Sequence, residues 1–206
     1  MAAPAHKNIK DLNGKWLMNK THSDATDPVL ALQGIGWLTR KAVGVASVTL
    51  HIKMYTKTSE DNPSAGEVIN VDIDQFASGG IKGTAEYRAL DWTYRPHSDW
   101  LFGELKGRSR FTTLDAVRKE AAEMGGVTEQ DAEWLTEGWL EETRTGEVIE
   151  SFVDNEGKGW TGWQIWGFAE INGERWYVRR MAIRRKNEDK AVRVKLCYEW
   201  VGELGS

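Results

Sequence analysis

Three polar side chains stand among aromatic and aliphatic neighbours in the C-terminal part of this sequence: Gln164, Arg179 and Tyr198. In an extended chain alternate residues share a face. Trp160, Gln164, Trp166 and Phe168 then fall on one wall, Tyr177, Arg179, Met181 and Ile183 on a second, and Val192, Val194, Leu196, Tyr198 and Trp200 on a third. If these walls face inward, an amide, a guanidinium and a phenol can donate hydrogen bonds to a ligand carbonyl or carboxylate. A donor that holds a carbonyl more tightly in the transition state than in the ground state lowers the barrier to cycloaddition, cyclisation or enolisation. Gln164, Arg179 and Tyr198 are therefore the candidate catalytic residues. The competing roles are pairing of Arg179 with a neighbouring acid and packing of Tyr198 at the end of a barrel.

The aromatic content points to the same interior. Eleven tryptophans stand against five tyrosines and five phenylalanines, and indoles enrich cores and ligand cavities alike. Trp100 and Phe102 are read on one strand face, Trp160 and Trp166 on another. Such rows suit a flat or conjugated ligand, and suit a packed core equally well. Trp100, Phe102, Trp160, Trp166, Tyr177 and Met181 are accordingly candidate ligand-binding residues. The sequence holds no Gly-x-Ser-x-Gly elbow, P-loop, His-Glu-x-x-His, Cys-x-x-Cys or dinucleotide fingerprint. His6, His22, His51 and His97 lack ligand spacing and are assigned to the surface or to loops, so no metal site and no cofactor are expected. A pocket that works by orientation needs no recognisable motif.

The elements that must position these residues are mostly strands. Residues 11–21 read as a turn feeding a first strand, with Trp16 and Met18 on one face. A helical hairpin over 28–44 follows: Asp27-Pro28 suits a helix start, Gly34 a stop, and Gly36 the start of a second helix closed near Gly44. From Ala46 the period becomes alternating, with Val48, Leu50, Ile52 and Met54 on one face. Further strands are predicted at 68–76, 83–92, 100–111, 148–153, 160–171, 175–183 and 192–201, with 93–99 as a loop containing Pro96. Residues 114–137 interrupt this pattern as a helical insertion, whose second helix is capped by Thr128 with Asp131 as its third residue. Asn172-Gly173 is the strongest hairpin signal, since both residues tolerate the positive φ of a type I′ turn. Nine or ten consecutive antiparallel strands predict one domain over 1–206, a closed up-and-down β-barrel. A β-sandwich is the alternative.

Composition bounds the partners. The net charge of −4, from 27 basic and 31 acidic residues, leaves no footprint for nucleic acid. The basic cluster Arg179, Arg180, Arg184, Arg185 and Lys186 reads as a solvated strand end. No run reaches the length of a membrane span and the first residues lack the apolar core of a signal peptide. With the single cysteine, Cys197, read as a buried structural thiol, this predicts a cytoplasmic protein, monomeric or homodimeric.

Two segments resemble a known family. Asn13-Gly14-Lys15-Trp16 is similar to the Gly-x-Trp opening strand of the calycin superfamily, which includes the lipocalins. Residues 31–41, ALQGIGWLTRK, resemble the helix-turn-helix of its fatty-acid-binding-protein branch. The match extends over about residues 11–56 and is shared with an uncharacterised group of filamentous-fungal proteins. The resemblance implies a lipocalin-like or fatty-acid-binding-protein-like barrel that encloses a hydrophobic molecule. It also implies a portal at the helical hairpin, which makes Trp37 a ligand-binding candidate. That family often anchors a carboxylate with an Arg-x-Tyr pair on the last strand. Aligning Tyr198 puts Leu196 at the arginine position, so the anchor does not carry over. The extra length near residues 93–145 implies a remodelled entrance or lid. The expected function is binding of a polyketide- or terpene-like molecule and its cofactor-free cyclisation or isomerisation. The alternatives are a passive fatty-acid carrier and an interaction module with a filled interior.

Overall fold

The computed structural model describes residues 2–59, 61, 64 and 66–205; the segment SEDNPSAG, 59–66, whose polar residues, proline and glycine predict a turn between two strands, lies partly outside them. Among the described residues ten strands form one antiparallel sheet: β1 (Gly14–Met18), β2 (Val48–Thr58), β3 (Glu67–Ala77), β4 (Ile81–Ala89), β5 (Arg95–Asp99), β6 (Gly103–Thr112), β7 (Val148–Asn155), β8 (Trp160–Ile171), β9 (Glu174–Arg185) and β10 (Ala191–Gly202). Each strand pairs with its chain neighbour where the sheet is continuous, and β1 pairs with both β2 and β10. The two ends of the sheet, β4 and β5, are not ladder partners. Beyond β4, the bridge between Asp91 and Arg110 and the bond from Trp92 N–H to the Ser109 carbonyl (2.9 Å) draw the edges together at one end. The barrel is thus nearly closed, with a gap between β4 and β5.

Between β1 and β2 lie α1 (Asp27–Leu32) and α2 (Trp37–Val45). Arg40 holds the hairpin by donating to Asp27 (3.0 Å) and to the Ile35 carbonyl (2.9 Å). α1 buries Val29 and Leu32 against Val153, Trp160, Ile183 and Val194, whereas α2 has no fully buried residue. Asn172 and Gly173 have φ of 54° and 78°, as the β8–β9 hairpin requires. Below, Trp16 is fully buried with Leu12, Leu50, Ile52, Ile73 and Phe168, and its indole donates to the Leu12 carbonyl at 2.8 Å.

Two predicted elements differ. The loop expected at 93–99 is the strand β5, in which Pro96 sits opposite Lys106. As an end strand β5 tolerates a residue that cannot donate to a ladder. The strand expected from Trp100 begins instead at Gly103, because Asp99 Oδ1 accepts the N–H groups of Leu101 and Phe102 (2.8 and 2.7 Å) and folds residues 100–102 into a turn.

The helical insertion predicted at 114–137 contains α3 (Leu114–Glu120) and α4 (Glu129–Thr136), and a further short helix that the sequence did not signal, α5 (Glu141–Thr145), extends it before β7. Thr128 and Asp131 form the predicted capping box. The insertion is not a lid. Val117, Leu135 and Trp139 pack on Trp163, Ile165, Val178 and Ala182, the residues of β8 and β9 that alternate away from the barrel interior. Each such buried side chain contributes about 1.5–3 kcal/mol, enough to order helices too short to persist alone. Close approach is permitted by Gly167, where a Cβ would lie 2.5 Å from Thr143 Cγ2. Polar bonds fasten the layer. Fully buried Glu150 accepts from Arg110 (2.7 Å) and from the Trp163 indole (2.8 Å), and Asp131 accepts from Arg184 (3.0 Å) and Arg193 (2.9 Å). Burial alone would raise the Asp131 pKa, but Arg184, Thr128 and Arg193 hold it below the usual value. Among the described residues no helix is long and apolar enough to cross a membrane.

Candidate active site inside the barrel

A cavity of about 260 Å³ occupies the barrel beneath the helical hairpin. Val29, Leu105, Val153, Trp160, Ile183 and Val194 give it an apolar region. Gln75, Glu86, Arg88, Gln164 and Arg179 give it a polar one. The register explains the second group. Gln164 is opposite Met181, Arg179 is opposite both Trp166 and Leu196, and Tyr177 is opposite Tyr198, so the inward residues of β8, β9 and β10 converge.

Arg179 is the centre of this group and only 4% exposed. Its Cζ lies 3.9 Å from the centre of the Trp166 ring, its Nε donates to the Tyr177 hydroxyl at 2.8 Å, and one terminal nitrogen is 3.6 Å from Glu86 Oε1. The other terminal nitrogen is buried and has no hydrogen-bond partner among the described residues. Glu86 is itself claimed elsewhere. It accepts from Arg88 Nη2 at 2.7 Å and from Gln75 at 2.9 Å, while Arg88 also donates to Ser151 at 2.6 Å. Two guanidiniums around one carboxylate leave one positive charge uncompensated beside the cavity that Arg179 lines.

The protonation states follow from burial and from these neighbours. Burial pushes Glu86 up, but Arg88 and Arg179 outweigh it and hold its carboxyl below the ordinary value. Burial opposes the charge on Arg179, yet the Tyr177 and Tyr198 hydroxyls and Glu86 more than offset this, so the guanidinium stays charged. Burial pushes the Tyr198 phenol far up, leaving a neutral donor. The Trp166 indole donates to Gln164 Oε1 at 3.1 Å, which orients that amide and leaves its NH₂ to donate.

Of the residues singled out by sequence, Gln164, Arg179, Tyr198, Phe102, Trp160 and Met181 line the cavity. Trp166 and Tyr177 are fully buried beside Arg179 and hold it from behind. Trp37 and Trp100 lie off the cavity, 62% and 69% exposed, because α2 rides on the surface and residue 100 is in a turn. The basic cluster is not wholly solvated: Arg179 and Arg180 are 4% and 8% exposed, Arg180 lying 3.8 Å from the Trp134 ring under the insertion. Sequence reasoning missed Glu86, Arg88 and His97. On an alternating strand a charged residue reads as outward, and nothing in the pattern of β4 or β5 signals otherwise.

Over 201 residues, 98% of this chain and 95% of the relative, the chain is 31% identical to the probable pericyclase scpY of Mollisia scopiformis. The chain belongs to the pericyclase family. It is also 28% identical to pericyclase pydY of Acremonium sp over 202 residues, 98% of each chain. No family model matches the chain. In fold it is similar to a Schistosoma mansoni fatty acid binding protein (TM-score 0.52, 10% identity, 95% of this chain and 100% of the other). It is likewise similar to lipid binding protein 8 of Caenorhabditis elegans (TM-score 0.51, 14% identity, 96% and 100%). Pericyclic ring closure needs neither a nucleophile nor a base, and this cavity offers a member of the pericyclase family oriented hydrogen-bond donors beside apolar walls.

Proposed function

We propose that this chain binds an extended, polyketide- or terpene-like molecule with its carbonyl-bearing head at Arg179 and Gln164 and its hydrocarbon body along the apolar wall. The bound molecule then undergoes cofactor-free pericyclic ring closure. The observation that carries this reading is a buried guanidinium, that of Arg179, lining a cavity walled by Trp160, Ile183 and Val194 and sharing its carboxylate partner Glu86 with Arg88. Withdrawal of electron density through a carbonyl activates a conjugated alkene toward a diene. A preorganised charged donor strengthens that withdrawal as the transition state forms. Gln164, held by the Trp166 indole, and the neutral Tyr198 phenol add donors that fix the head group. The apolar walls fold the tail back toward it, supplying the orientation from which most of the acceleration comes.

The test is a linear trienone in which an enone and a terminal diene are joined by a short saturated chain. The native protein should convert it to a bicyclic isomer of unchanged mass faster than buffer does, with one stereoisomer in excess. Binding with release of unchanged trienone would instead make the barrel a carrier. The reading extends to a cytoplasmic protein, monomeric or homodimeric. The single thiol, Cys197, supports a reducing compartment, and sedimentation together with cell fractionation tests both points.

A further inference from the structure

His97 occupies a place that ring closure does not use. Arg95, His97 and Asp99 alternate onto the cavity side of β5, and His97 pairs in register with Leu105, another lining residue. Its side chain is 28% exposed, and Nε2 lies 3.4 Å from Asp99 Oδ2. Across the β4–β5 gap it acts electrostatically on Glu86, the carboxylate that also meets Arg179. On its other side is a second, more open cleft with Glu104, Lys106, Asp154 and Glu156 on its walls. Pro96, His97, Phe102 and Leu105 belong to both concavities. One imidazole therefore stands in the partition between the cavity of Arg179 and a polar cleft in the surface. Imidazole is the side chain best suited to both accept and release a proton near neutral pH.

We propose that His97 is a proton-transfer residue, giving the barrel a second activity: isomerisation of a double bond next to the ligand carbonyl. The inference rests on the reading of Arg179 as the group that holds that carbonyl. The imidazole removes a proton from the carbon between the carbonyl and a β,γ double bond. The C–H electron pair becomes a carbon–carbon π bond, and the carbonyl π pair moves to oxygen, where Arg179 stabilises the dienolate. Return of the proton to the γ carbon restores the carbonyl and leaves the double bond conjugated with it. Atoms and charge balance between ligand and imidazole without a co-reactant, and the second cleft lets the imidazole exchange its proton with water. The same cavity thereby makes the conjugated, electron-poor alkene that ring closure consumes.

The probe is the β,γ-unsaturated ketone dec-4-en-2-one. Binding is followed by tryptophan fluorescence, and conversion to the conjugated enone by ultraviolet absorbance. In D₂O the product of the native protein carries deuterium at the γ carbon. Removal of a general acid–base group costs about 100-fold or more, so His97→Gln should lose that much turnover while binding the probe as before. Free imidazole should restore part of the activity of His97→Ala, a rescue that a merely structural histidine does not show. His51→Gln, altered on the outer side of β2 where the ring lies tilted against Phe76 with centroids 4.4 Å apart, should behave as native. Native-like isomerisation by His97→Gln and His97→Ala overturns the proposal, as does binding of the probe at Arg179 without any conversion. If the native protein does not bind the probe, or Arg179→Met binds and converts it as the native protein does, the reading of Arg179 falls, and this inference with it.

Discussion

Replacing Arg179 by methionine separates the needs of catalysis from those of stability. The substitution keeps an unbranched apolar stem against Trp166 and Leu196 and removes the guanidinium. If that group stabilises developing negative charge on a ligand carbonyl, its loss costs about 2.7–4 kcal/mol of the barrier, or ~10²–10³-fold in kcat. The structural cost is smaller. Glu86 keeps Arg88 and Gln75, while the Tyr177 hydroxyl loses a donor. Against this, a buried charge with one unsatisfied N–H, itself worth about 1–3 kcal/mol of penalty, disappears. The unfolding free energy should therefore stay within about 1 kcal/mol of the native value or rise, the pattern expected of a site kept for function. The assay is steady-state kinetics of trienone closure beside urea unfolding of both proteins. Arg179→Lys, which keeps the charge but not the planar fork, should fall between them. A methionine variant that turns over within roughly threefold of native, less than about 0.7 kcal/mol in the barrier, would refute the argument. So would a variant whose kcat loss is matched by a stability loss of several kcal/mol, since Arg179 would then be a structural residue.

Asp131→Asn removes a charge buried between Arg184 and Arg193 and loosens the start of α4; it should cost about 3–5 kcal/mol in denaturant unfolding, with trienone turnover by the folded fraction unchanged. Gly167→Ala places a Cβ 2.5 Å from Thr143 Cγ2 and against Trp139, so α5 should be displaced at a cost of about 1–3 kcal/mol, seen as a lower Tm. Acid should destabilise the fold for a defined reason. Glu86 and Asp131, through their arginines, and Asp91, through the hydrogen bonds from Arg95, all have pKa values lowered by folding. Their stabilisation is complete above the unfolded carboxylate pKa of about 4 and is lost as pH falls through the depressed folded values. Urea midpoints that do not change from neutral pH down to acid would contradict this.

The barrel was legible because alternation and turn chemistry are local. Val48 to Met54 and the Asn172-Gly173 hairpin carried their strands without knowledge of partners. β5 was not legible, since Pro96 argues against a strand unless the strand is known to lie at an end of the sheet. In the site, Gln164 and Arg179 stood out as polar residues embedded among aromatics. Glu86, Arg88 and His97 belong to strands that look amphipathic with their charges outward, and only their partners make an inward placement affordable: Arg88 with Glu86 within β4, Arg179 with Glu86 across the barrel, and His97 with Asp99 within β5. The position of the insertion was half written. Helical patterning shows that α3 and α4 have a buried side but not which surface receives it. The nearly uninterrupted apolar run of β8, with Trp163 and Ile165 between Gly162, Gln164 and Trp166, does show that both faces of that strand are covered.

That one-sided cover has a mechanical consequence. Strands β7 to β10 are clamped between the interior and the helical layer, whereas β2 to β5 turn their outer faces, with Lys53 and Tyr87 among them, to solvent. Regions with fewer buried contacts open at lower free energy. The molecule works like a vice with one fixed jaw and one that yields. Gln164, Arg179 and Tyr198 are mounted on the fixed jaw and Glu86 and His97 on the other, so under the function proposed above an entering substrate would spread the yielding jaw and leave the proposed donors in place.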